Sequence, residues 1–318
     1  MYHYVRDLPN SAHPRIAGLL TSRFEGQLDY IERHYRVVSA EDIVRAVRGG
    51  AGLPPRACHL SFDDGFLDHY ETVLPRLAAR GLPASFYPPA AALLEHEVLD
   101  VHKIHFVLAS GPDIAPIKQA LLEALAGRRR RFSLPSDEEL HRLYARPGRF
   151  DGSDVIFVKR LLQVGLPEEV RRAITDELFS RFVSDDEAGF ARGLYLSVPQ
   201  LREMLDQGMS VGGHGYAHAW LGALPRREQE LEIRRTRAFL EEVHGAPLRD
   251  WVMCYPHGSY NADTLEILAR SGCAVGLTTR VGLAELKRPL ELDRLDTNDL
   301  PCEGSEPRSE WTRRAWPE

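Results

Sequence analysis

Two short clusters of carboxylates and imidazoles are the residues best suited to chemistry in this sequence. The first is the adjacent pair Asp63 and Asp64, followed by Gly65, and the second is the pair His214 and His218. Two histidines and one carboxylate can hold a divalent metal and still leave open positions for water and substrate. A second carboxylate beside such a site is a candidate general base. Together, the two clusters predict a divalent-metal site with a general base beside it.

Each cluster also has an ordinary structural explanation when it is taken alone. An Asp pair before a glycine is typical of a turn, in which one Asp caps the helix that begins at Phe66. His214 and His218 belong to a chain with 13 histidines, and histidines are equally at home in cores and on surfaces. The metal interpretation therefore depends on the two clusters meeting in space.

Composition excludes several other classes of protein. The chain has 318 residues, of which 43% are hydrophobic and 27% charged, and its net charge of −6 argues against non-specific binding of nucleic acid. The sequence also contains no GxxxxGKS/T phosphate loop, GxGxxG fingerprint, HExxH helix or GxSxG elbow. These absences remove the commonest nucleotide-binding, zinc-protease and serine-hydrolase patterns.

The expected location is a reducing cytoplasm. The first residues lack the charged and apolar regions of a secretory signal, and no run of about 18 apolar residues predicts a transmembrane helix. The four cysteines form no CxxC pair and are too scattered for a disulfide framework.

Short apolar runs alternate with amphipathic segments, which favours an α/β fold. A strand over residues 57–62 leads into Asp63, a helix follows over 66–80, and the next strand covers 82–87. The two carboxylates therefore lie at the carboxyl end of a strand, where barrels and open parallel sheets carry their chemistry. The remaining predicted helices cover 23–34, 39–47, 200–207, 226–244 and 263–270, and the remaining strands cover 209–214, 250–255 and 274–279.

Residues 97–196 interrupt this alternation. Their pattern is helical, and the interval is too long for a connecting loop, which predicts a helical insertion. Four consecutive arginines, 128–131, could bind a phosphate or an anionic lipid. A solvated helix end, where cations suit the helix dipole, is the simpler interpretation.

Three motifs in this order resemble the polysaccharide deacetylase family, the NodB-homology group or carbohydrate esterase family 4. They are Ser61-Phe-Asp-Asp-Gly65, His214-Gly-Tyr-Ala-His218 and Cys254-Tyr-Pro-His-Gly-Ser-Tyr-Asn261. The resemblance covers residues 57–90 and 197–300. It implies one domain over residues 1–318, a distorted (β/α) barrel with the helical insertion at 97–196. It also implies removal of N-acetyl groups from amino sugars with one divalent ion, most often zinc.

The resemblance also implies roles for individual residues. Asp63 corresponds to the general base, and the metal ligands are Asp64, His214 and His218. The backbone N–H of His257 corresponds by position to a donor for the oxyanion.

Several positions depart from the family pattern. Gly215 stands where the family has Ser or Thr, and Cys254 stands where an arginine orients the catalytic Asp. The later family motifs, which include the general acid, have no clear match. His257 is a candidate for that acid, because histidine titrates near neutral pH, although it could equally be a turn residue between Pro256 and Gly258.

Three further residues are candidates for substrate binding, namely His3, Tyr255 and Arg294. His3 belongs to an expected first strand and could reach the cleft, although a packed strand histidine is an alternative. Arg294 could bind substrate oxygens, orient Asp63, or form a structural ion pair at the rim.

The resulting prediction is a metal-dependent N-deacetylase for an amino sugar. The sugar would be nucleotide-linked, lipid-linked or part of a glycan being made for a surface polysaccharide, and the insertion would act as a lid or a specificity wall. One alternative is a hydrolase of cyclic amides or ureides with the same metal site. Another is an inactive sugar-binding relative, against which the intact set Asp63, Asp64, His214 and His218 argues.

Overall fold

The computed structural model describes residues 1–147 and 152–315. They form two compact units. The first unit consists of Met1–Asp7, Gly18–Glu97 and Ala191–Glu318, and the second of Leu8–Ala17 and Val98–Phe190.

The strands of the described residues all lie in the first unit. They are β1 (Val5–Arg6), β2 (Leu19–Leu20), β3 (Arg36–Val37), β4 (Ala57–Cys58), β5 (Ser61–Asp63), β6 (Ser85–Tyr87), β7 (Ser210–Val211), β8 (Trp251–Cys254), β9 (Cys273–Val281) and β10 (Leu292–Arg294).

Helices supply most of the remaining regular structure. They are α1 (Thr21–His34), α2 (Ala40–Val47), α3 (Leu74–Arg80), α4 (Ala90–Leu94), α5 (Asp100–Ala109), α6 (Ala115–Phe132), α7 (Asp137–Tyr144), α8 (Ser153–Arg160), α9 (Glu168–Phe182), α10 (Glu187–Leu194), α11 (Val198–Asp206), α12 (Arg226–His244), α13 (Ala262–Arg270) and α14 (Glu310–Ala315).

Every strand pair among the described residues is parallel. The central order is β5-β6-β7, and a second group has the order β10-β9-β8. A bridge between Gly213 and Met253 links the two groups, and a bridge between Tyr2 and Phe62 places the N-terminal segment beside β5. Parallel pairing brings the carboxyl ends of β5, β7 and β8 to the same edge. The α/β class that the sequence predicts is confirmed.

Aromatic side chains form the core beneath β5. The Phe62 ring stacks between Tyr2 and Phe86, with ring centroids 4.9 and 5.0 Å away. Phe24 of α1 approaches the Phe62 ring edge-on at 6.0 Å. All four rings are buried. Because interiors are close-packed, this cluster holds the end of β5 in a defined place.

Two predicted elements differ from the observed ones because of proline. The helix predicted over 66–80 is instead a π-helical turn, His69–Val73, followed by α3. Pro75 has no N–H to donate, so it is best tolerated in the first turn of an α-helix, and it is the second residue of α3. The strand predicted from residue 82 begins only at β6, after Pro83, which cannot donate a ladder hydrogen bond.

Other local predictions match closely. The structure has α12 over the predicted interval 226–244. The hydroxyl of Ser39 accepts the backbone N–H of Asp42, and the carboxylate of Asp42 accepts the backbone N–H of Ser39, so a capping box opens α2 in the predicted interval 39–47.

The second unit is helical in its described part, and its arginine run is paired. Arg128, Arg129 and Arg131 form ion pairs with Glu177, Asp137 and Glu169, respectively. The run stands at the carboxyl end of α6, where cations suit the helix dipole. These contacts favour the simpler interpretation of the run.

Two features bear on the expected compartment. Among the described residues, no helix combines the length and the apolar character that crossing a membrane requires. All four cysteines are free thiols.

Candidate active site

Asp64, His214 and His218 meet in one buried cluster. The Oδ1 atom of Asp64 lies 3.3 Å from Nε2 of His214 and 3.4 Å from Nε2 of His218. The two Nε2 atoms are 3.2 Å apart. Three residues separated by up to 154 positions in the sequence therefore direct their donor atoms at a common point.

The spacing of these three atoms fits a divalent ion. Nitrogen and oxygen ligands bind zinc at about 2.0–2.2 Å, so two of them in a tetrahedral arrangement lie about 3.3–3.6 Å apart. The observed separations of 3.2–3.4 Å fall close to this range. An anionic carboxylate and two imidazoles are also a suitable donor set for zinc and its neighbours in the first transition row.

A hydrogen bond outside the cluster orients one of the ligands. The Nδ1 atom of His214 lies 2.9 Å from the backbone carbonyl of Cys254, at the end of β8. A carbonyl can only accept, so Nδ1 carries the proton and Nε2 is left as a lone-pair donor. The ring is thus held in the tautomer that a metal ligand requires.

Asp64 is placed by a left-handed turn that immediately follows β5. Its φ is +73°, and that of Gly65 is +64°. A Cβ atom on residue 65 would lie 2.7 Å from Cβ of Pro88, so only glycine fits there. The turn re-aims the carboxylate of Asp64 away from the direction that a continuing strand would give it.

The loop from His214 to His218 is held by a carboxylate from α12. One oxygen of Glu232 accepts the backbone N–H groups of Tyr216 and Ala217, each at 3.0 Å. Gly215 has a φ of +71°, which accounts for a glycine at this departure from the family pattern. His218 is also left-handed, with a φ of +55°. Backbone strain of this kind persists where the surroundings enforce it.

Arg294 forms a fork-to-fork ion pair with Asp63. Nη1 and Nη2 of Arg294 donate to Oδ1 and Oδ2 of Asp63 at 2.8 and 2.7 Å. Nη1 also donates to the Ser61 hydroxyl, and Nε donates to the carbonyl of Thr278. Arg294 is buried and committed to these partners, so the contact with Asp63 takes precedence over the predicted contact with substrate.

This pair determines the charge state of Asp63. Burial alone would favour the neutral acid, but the guanidinium of Arg294 outweighs burial and holds the pKa of Asp63 well below its usual range. Burial opposes a charge on His214, but the neighbouring acidic groups, which include the carboxylates of Asp64 and Asp63, raise its pKa well above the usual value. A proton and a metal ion would therefore compete for His214.

Cys254 lies close to Asp63 and His214, and the three residues form a second group that could hold a metal ion. Burial raises the pKa of the Cys254 thiol, which keeps it protonated and a weak ligand. Both oxygens of Asp63 are also bound by Arg294. The cluster of Asp64, His214 and His218 is therefore the better metal site.

Two more imidazoles contact the site. Nε2 of His3 lies 3.9 Å from Oδ2 of Asp63, and the His3 side chain is 42% exposed. The ring of His257 lies 4.5 Å from the ring of His218 and stacks on Trp220 at 4.2 Å. The structure thus brings both predicted histidines to the edge of the cluster.

Tyr255 is placed differently from its predicted role in substrate binding. The side chain is fully buried, and its hydroxyl donates to the carbonyl of Leu290 at 2.7 Å. Its ring stacks on Tyr260 with centroids 4.6 Å apart. These contacts make Tyr255 a support for the third motif, because no part of the side chain faces the solvent.

Two residues of the site, Glu232 and Trp220, are not identified by any motif in the sequence. Glu232 acts through a contact that exists only after α12 packs beside the histidine loop, so no local pattern identifies it. Trp220 follows His218 by two residues, and that proximity is the only signal available.

Comparison with known proteins finds a family match over part of the chain. Residues 184–276 match the family model described as polysaccharide deacetylase. The match includes both histidines of the cluster and the third motif, and it begins after Asp63 and Asp64. The resemblance to the polysaccharide deacetylase family that the motifs indicate is confirmed.

Two curated relatives and one solved structure resemble the chain. The Bacillus subtilis (strain 168) protein YxkH is 28% identical over 90 residues, 28% of this chain and 32% of YxkH. The poly-β-1,6-N-acetyl-D-glucosamine N-deacetylase of Escherichia coli (strain K12) is 38% identical over 88 residues, 27% of this chain. The chain spans about a third or less of these relatives, 32% and 13% of their lengths.

The likeness in three dimensions covers nearly the whole chain. The Streptococcus pyogenes deacetylase PplD, solved in complex with acetate, has a TM-score of 0.55 and 18% sequence identity. The alignment covers 93% of this chain and 89% of PplD. At this identity, the likeness concerns the fold.

Metal content tests the three-residue cluster. We expect about one equivalent of a divalent metal after loading with zinc and dialysis, and less than a tenth of that in a His214→Ala, His218→Ala variant, because two of the three ligands are removed. Mass spectrometry of the metal content measures this. His141→Ala, which changes a half-exposed histidine of the second unit, is the matched control. Equal metal in all three proteins would contradict the assignment.

Replacing Arg294 tests the buried pair. We expect Arg294→Met to lower the free energy of unfolding at pH 7 by about 3–5 kcal/mol, because Asp63 is left as an uncompensated buried charge. The loss should shrink as the pH falls below the ordinary carboxyl pKa of about 3.9 towards the lower folded-state pKa of Asp63. A lowered folded-state pKa gives its full stabilisation above the ordinary value and loses it as the pH falls through the folded-state value. Urea denaturation measures both effects.

Arg280→Met is the matched control for Arg294→Met. Arg280 pairs with Asp293 near the same strands, but its side chain is 45% exposed. Its loss should cost no more than about 1 kcal/mol. A similar loss in both variants would mean that burial of the Asp63 pair is unimportant.

Proposed function

We propose that this chain, with its polysaccharide deacetylase match, is a metal-dependent N-deacetylase that hydrolyses the N-acetyl group of an amino sugar. The observation that carries the proposal is the meeting of two groups of residues. The Asp64, His214 and His218 cluster can hold a metal, and the Asp63–Arg294 pair lies directly beside it. Metal-assisted hydrolysis of an amide needs both a metal and a neighbouring base.

The named relatives support an amino sugar as the substrate. The Escherichia coli relative is named for deacetylation of poly-β-1,6-N-acetyl-D-glucosamine, and its matched segment is 38% identical to this chain. We therefore propose a substrate from the making of a surface polysaccharide. The four free thiols are compatible with action in a reducing compartment such as the cytoplasm.

We also propose a single deacetylase domain, with the strands arranged as a distorted barrel and residues 97–196 inserted. Strand β6 pairs directly with β7, although the helices of that interval separate them in the sequence. A hydrogen bond of 2.6 Å from the Met1 nitrogen to the carbonyl of Leu295 brings the first segment to the end of β10. These contacts support a closed order of strands.

The base is the best defined part of the mechanism. When bound, a divalent ion would polarise the acetyl carbonyl and lower the pKa of water to about 7. Asp63 is held as a carboxylate by Arg294, so it can accept the proton that the attacking water loses. Both oxygens are fixed by the guanidinium, which keeps the lone pairs in one orientation.

The leaving amine needs a proton donor, and His3 is the better placed of the two imidazoles. His3 is half-exposed and adjoins Asp63, so it can reach a group bound in the cleft. His257, the candidate favoured by the sequence, has one face covered by Trp220 and one edge against His218. We therefore propose His3 as the general acid and His257 as a wall of the cleft.

Acetate release tests the proposed activity. We expect the zinc-loaded protein to release acetate from N-acetylglucosamine oligomers, and Asp63→Asn to lower kcat at least about 100-fold while keeping its metal, because the base is removed. Thermal unfolding of the same samples shows how much of each variant is folded.

Asp250→Asn is the matched control for Asp63→Asn. Asp250 is exposed and stands before β8, at the opposite end of the strand from Cys254. Its activity should stay within twofold of the wild type. A folded Asp63→Asn protein with near-normal kcat would refute the base assignment.

An ester substrate identifies the acid. We expect His3→Gln to lose at least about 100-fold in amide hydrolysis but to retain hydrolysis of 4-nitrophenyl acetate, because a nitrophenolate leaves without a proton. His257→Gln should affect the two substrates equally. The opposite pattern, with the selective loss in His257→Gln, would assign the acid to His257 instead. The ratio of the two rates is the measurement.

A further inference from the structure

A stacking contact between Trp220 and His257 extends the site outward from the cluster of Asp64, His214 and His218. The indole of Trp220 lies on the imidazole of His257 with an interplanar angle of 9° and a centroid distance of 4.2 Å. Trp220 is nevertheless 45% exposed. Because one face of the indole lies on His257, the exposed part belongs to the other face and the edge. A large apolar ring is thus stacked on the edge of the site and still accessible to a ligand.

The turn that carries Trp220 is fixed by the third motif. The N–H of Gly222 donates to the Ser259 hydroxyl, and the side-chain amide of Asn261 donates to the carbonyl of Gly222, each at 3.1 Å. Asn261 also caps α13. Two residues of the third motif therefore fix the turn that presents the indole, which lowers the entropy cost of using it in binding.

The position of Trp220 relates it to the reacting centre. His257 stands between Trp220 and His218, and its ring contacts both. The indole therefore lies one ring beyond a proposed metal ligand, near enough to contact a group attached to the one that reacts. A pyranose has one face made mainly of C–H groups, which packs well on a flat aromatic ring.

We propose that Trp220 is the binding platform for the sugar unit next to the one that loses its acetyl group. The ligand class is a neutral pyranose within a glycan of two or more units. This inference rests on the proposed function, because it takes the metal cluster as the place of reaction. It narrows the substrate from any N-acetylated amino sugar to an oligosaccharide or polysaccharide.

The surroundings of the turn favour a sugar over the base and diphosphate of a nucleotide. The side chains that hold residues 222–224 are Ser259, Asn261 and Gln229, all of them neutral. The nearest ring partner is His257. A diphosphate beside the indole would need cationic side chains or several N–H donors, which phosphate sites in proteins provide.

The test compares substrates of different length in matched variants. The probes are a β-1,6-linked N-acetylglucosamine pentasaccharide, N-acetylglucosamine itself and uridine diphosphate N-acetylglucosamine. We expect Trp220→Ala to lower kcat/KM for the pentasaccharide about tenfold, mainly through KM, which corresponds to about 1.4 kcal/mol. The rate with the monosaccharide should not change. Trp220→Phe should recover most of the loss, because it keeps an aromatic face.

Trp311→Ala is the control for loss of a partly exposed tryptophan. Trp311 belongs to α14 and contacts Arg314. Equal losses with the monosaccharide and the pentasaccharide would overturn the proposal, because Trp220 would then act only by supporting His257. A loss confined to the nucleotide sugar would also overturn it and would point to stacking of the base.

A binding measurement separates this inference from the proposed activity. Calorimetry with the pentasaccharide needs no turnover. Binding that Trp220→Ala weakens about tenfold supports the platform, even if no probe releases acetate and the deacetylase proposal fails. Acetate release from the pentasaccharide with unchanged affinity in Trp220→Ala overturns the platform and leaves the activity intact. Absence of pentasaccharide binding by the wild-type protein also overturns it.

Discussion

The buried ion pair between Asp63 and Arg294 is the interaction on which the rest of the site depends. Removing two charges from water costs several kcal/mol for each ion, and the cost is recovered only with close geometry and further hydrogen bonds. Here the pair is bidentate, and Ser61 and Thr278 accept other N–H groups of the guanidinium. The pair joins β10 to β5, so the same contact that keeps Asp63 ionised also fastens β10 to the centre of the first unit.

The metal cluster depends on backbone geometry as much as on its side chains. Asp64, His218 and His257 all have positive φ values, which cost energy in residues other than glycine. Fixed neighbours hold them there: Pro88 packs against the turn after Asp64, and Glu232 ties down the histidine loop. A site assembled from such turns presents ligands at spacings that regular strands and helices do not offer.

The sequence was sufficient to predict what depends on local pattern and on motif. The helix over 226–244 follows from its amphipathic period, and the meeting of Asp64 with His214 and His218 follows from motifs at strand ends. Side-chain contacts between residues that are far apart in the sequence could not be predicted from the local pattern. The sequence left three roles open for Arg294, and only packing of β10 beside β9, with the side chain turned to Asp63, makes that carboxylate its partner. The burial of Tyr255 could not be predicted for the same reason, because it depends on how neighbouring strands pack.

The separation of Asp63 from Arg294 along the chain affects the order in which the protein can be completed. The two residues are 231 positions apart, and a ribosome adds roughly 5–20 residues each second, so the arginine follows the aspartate by on the order of 10–50 s. During that interval, the Asp63 carboxylate has no guanidinium partner with which it could be buried as an ion pair. Until β10 emerges, Asp63 can therefore be ionised only in contact with water, or be buried only in its protonated form. The ionised, buried state of Asp63 is thus a product of the late packing of β10 and not of the strand that carries it.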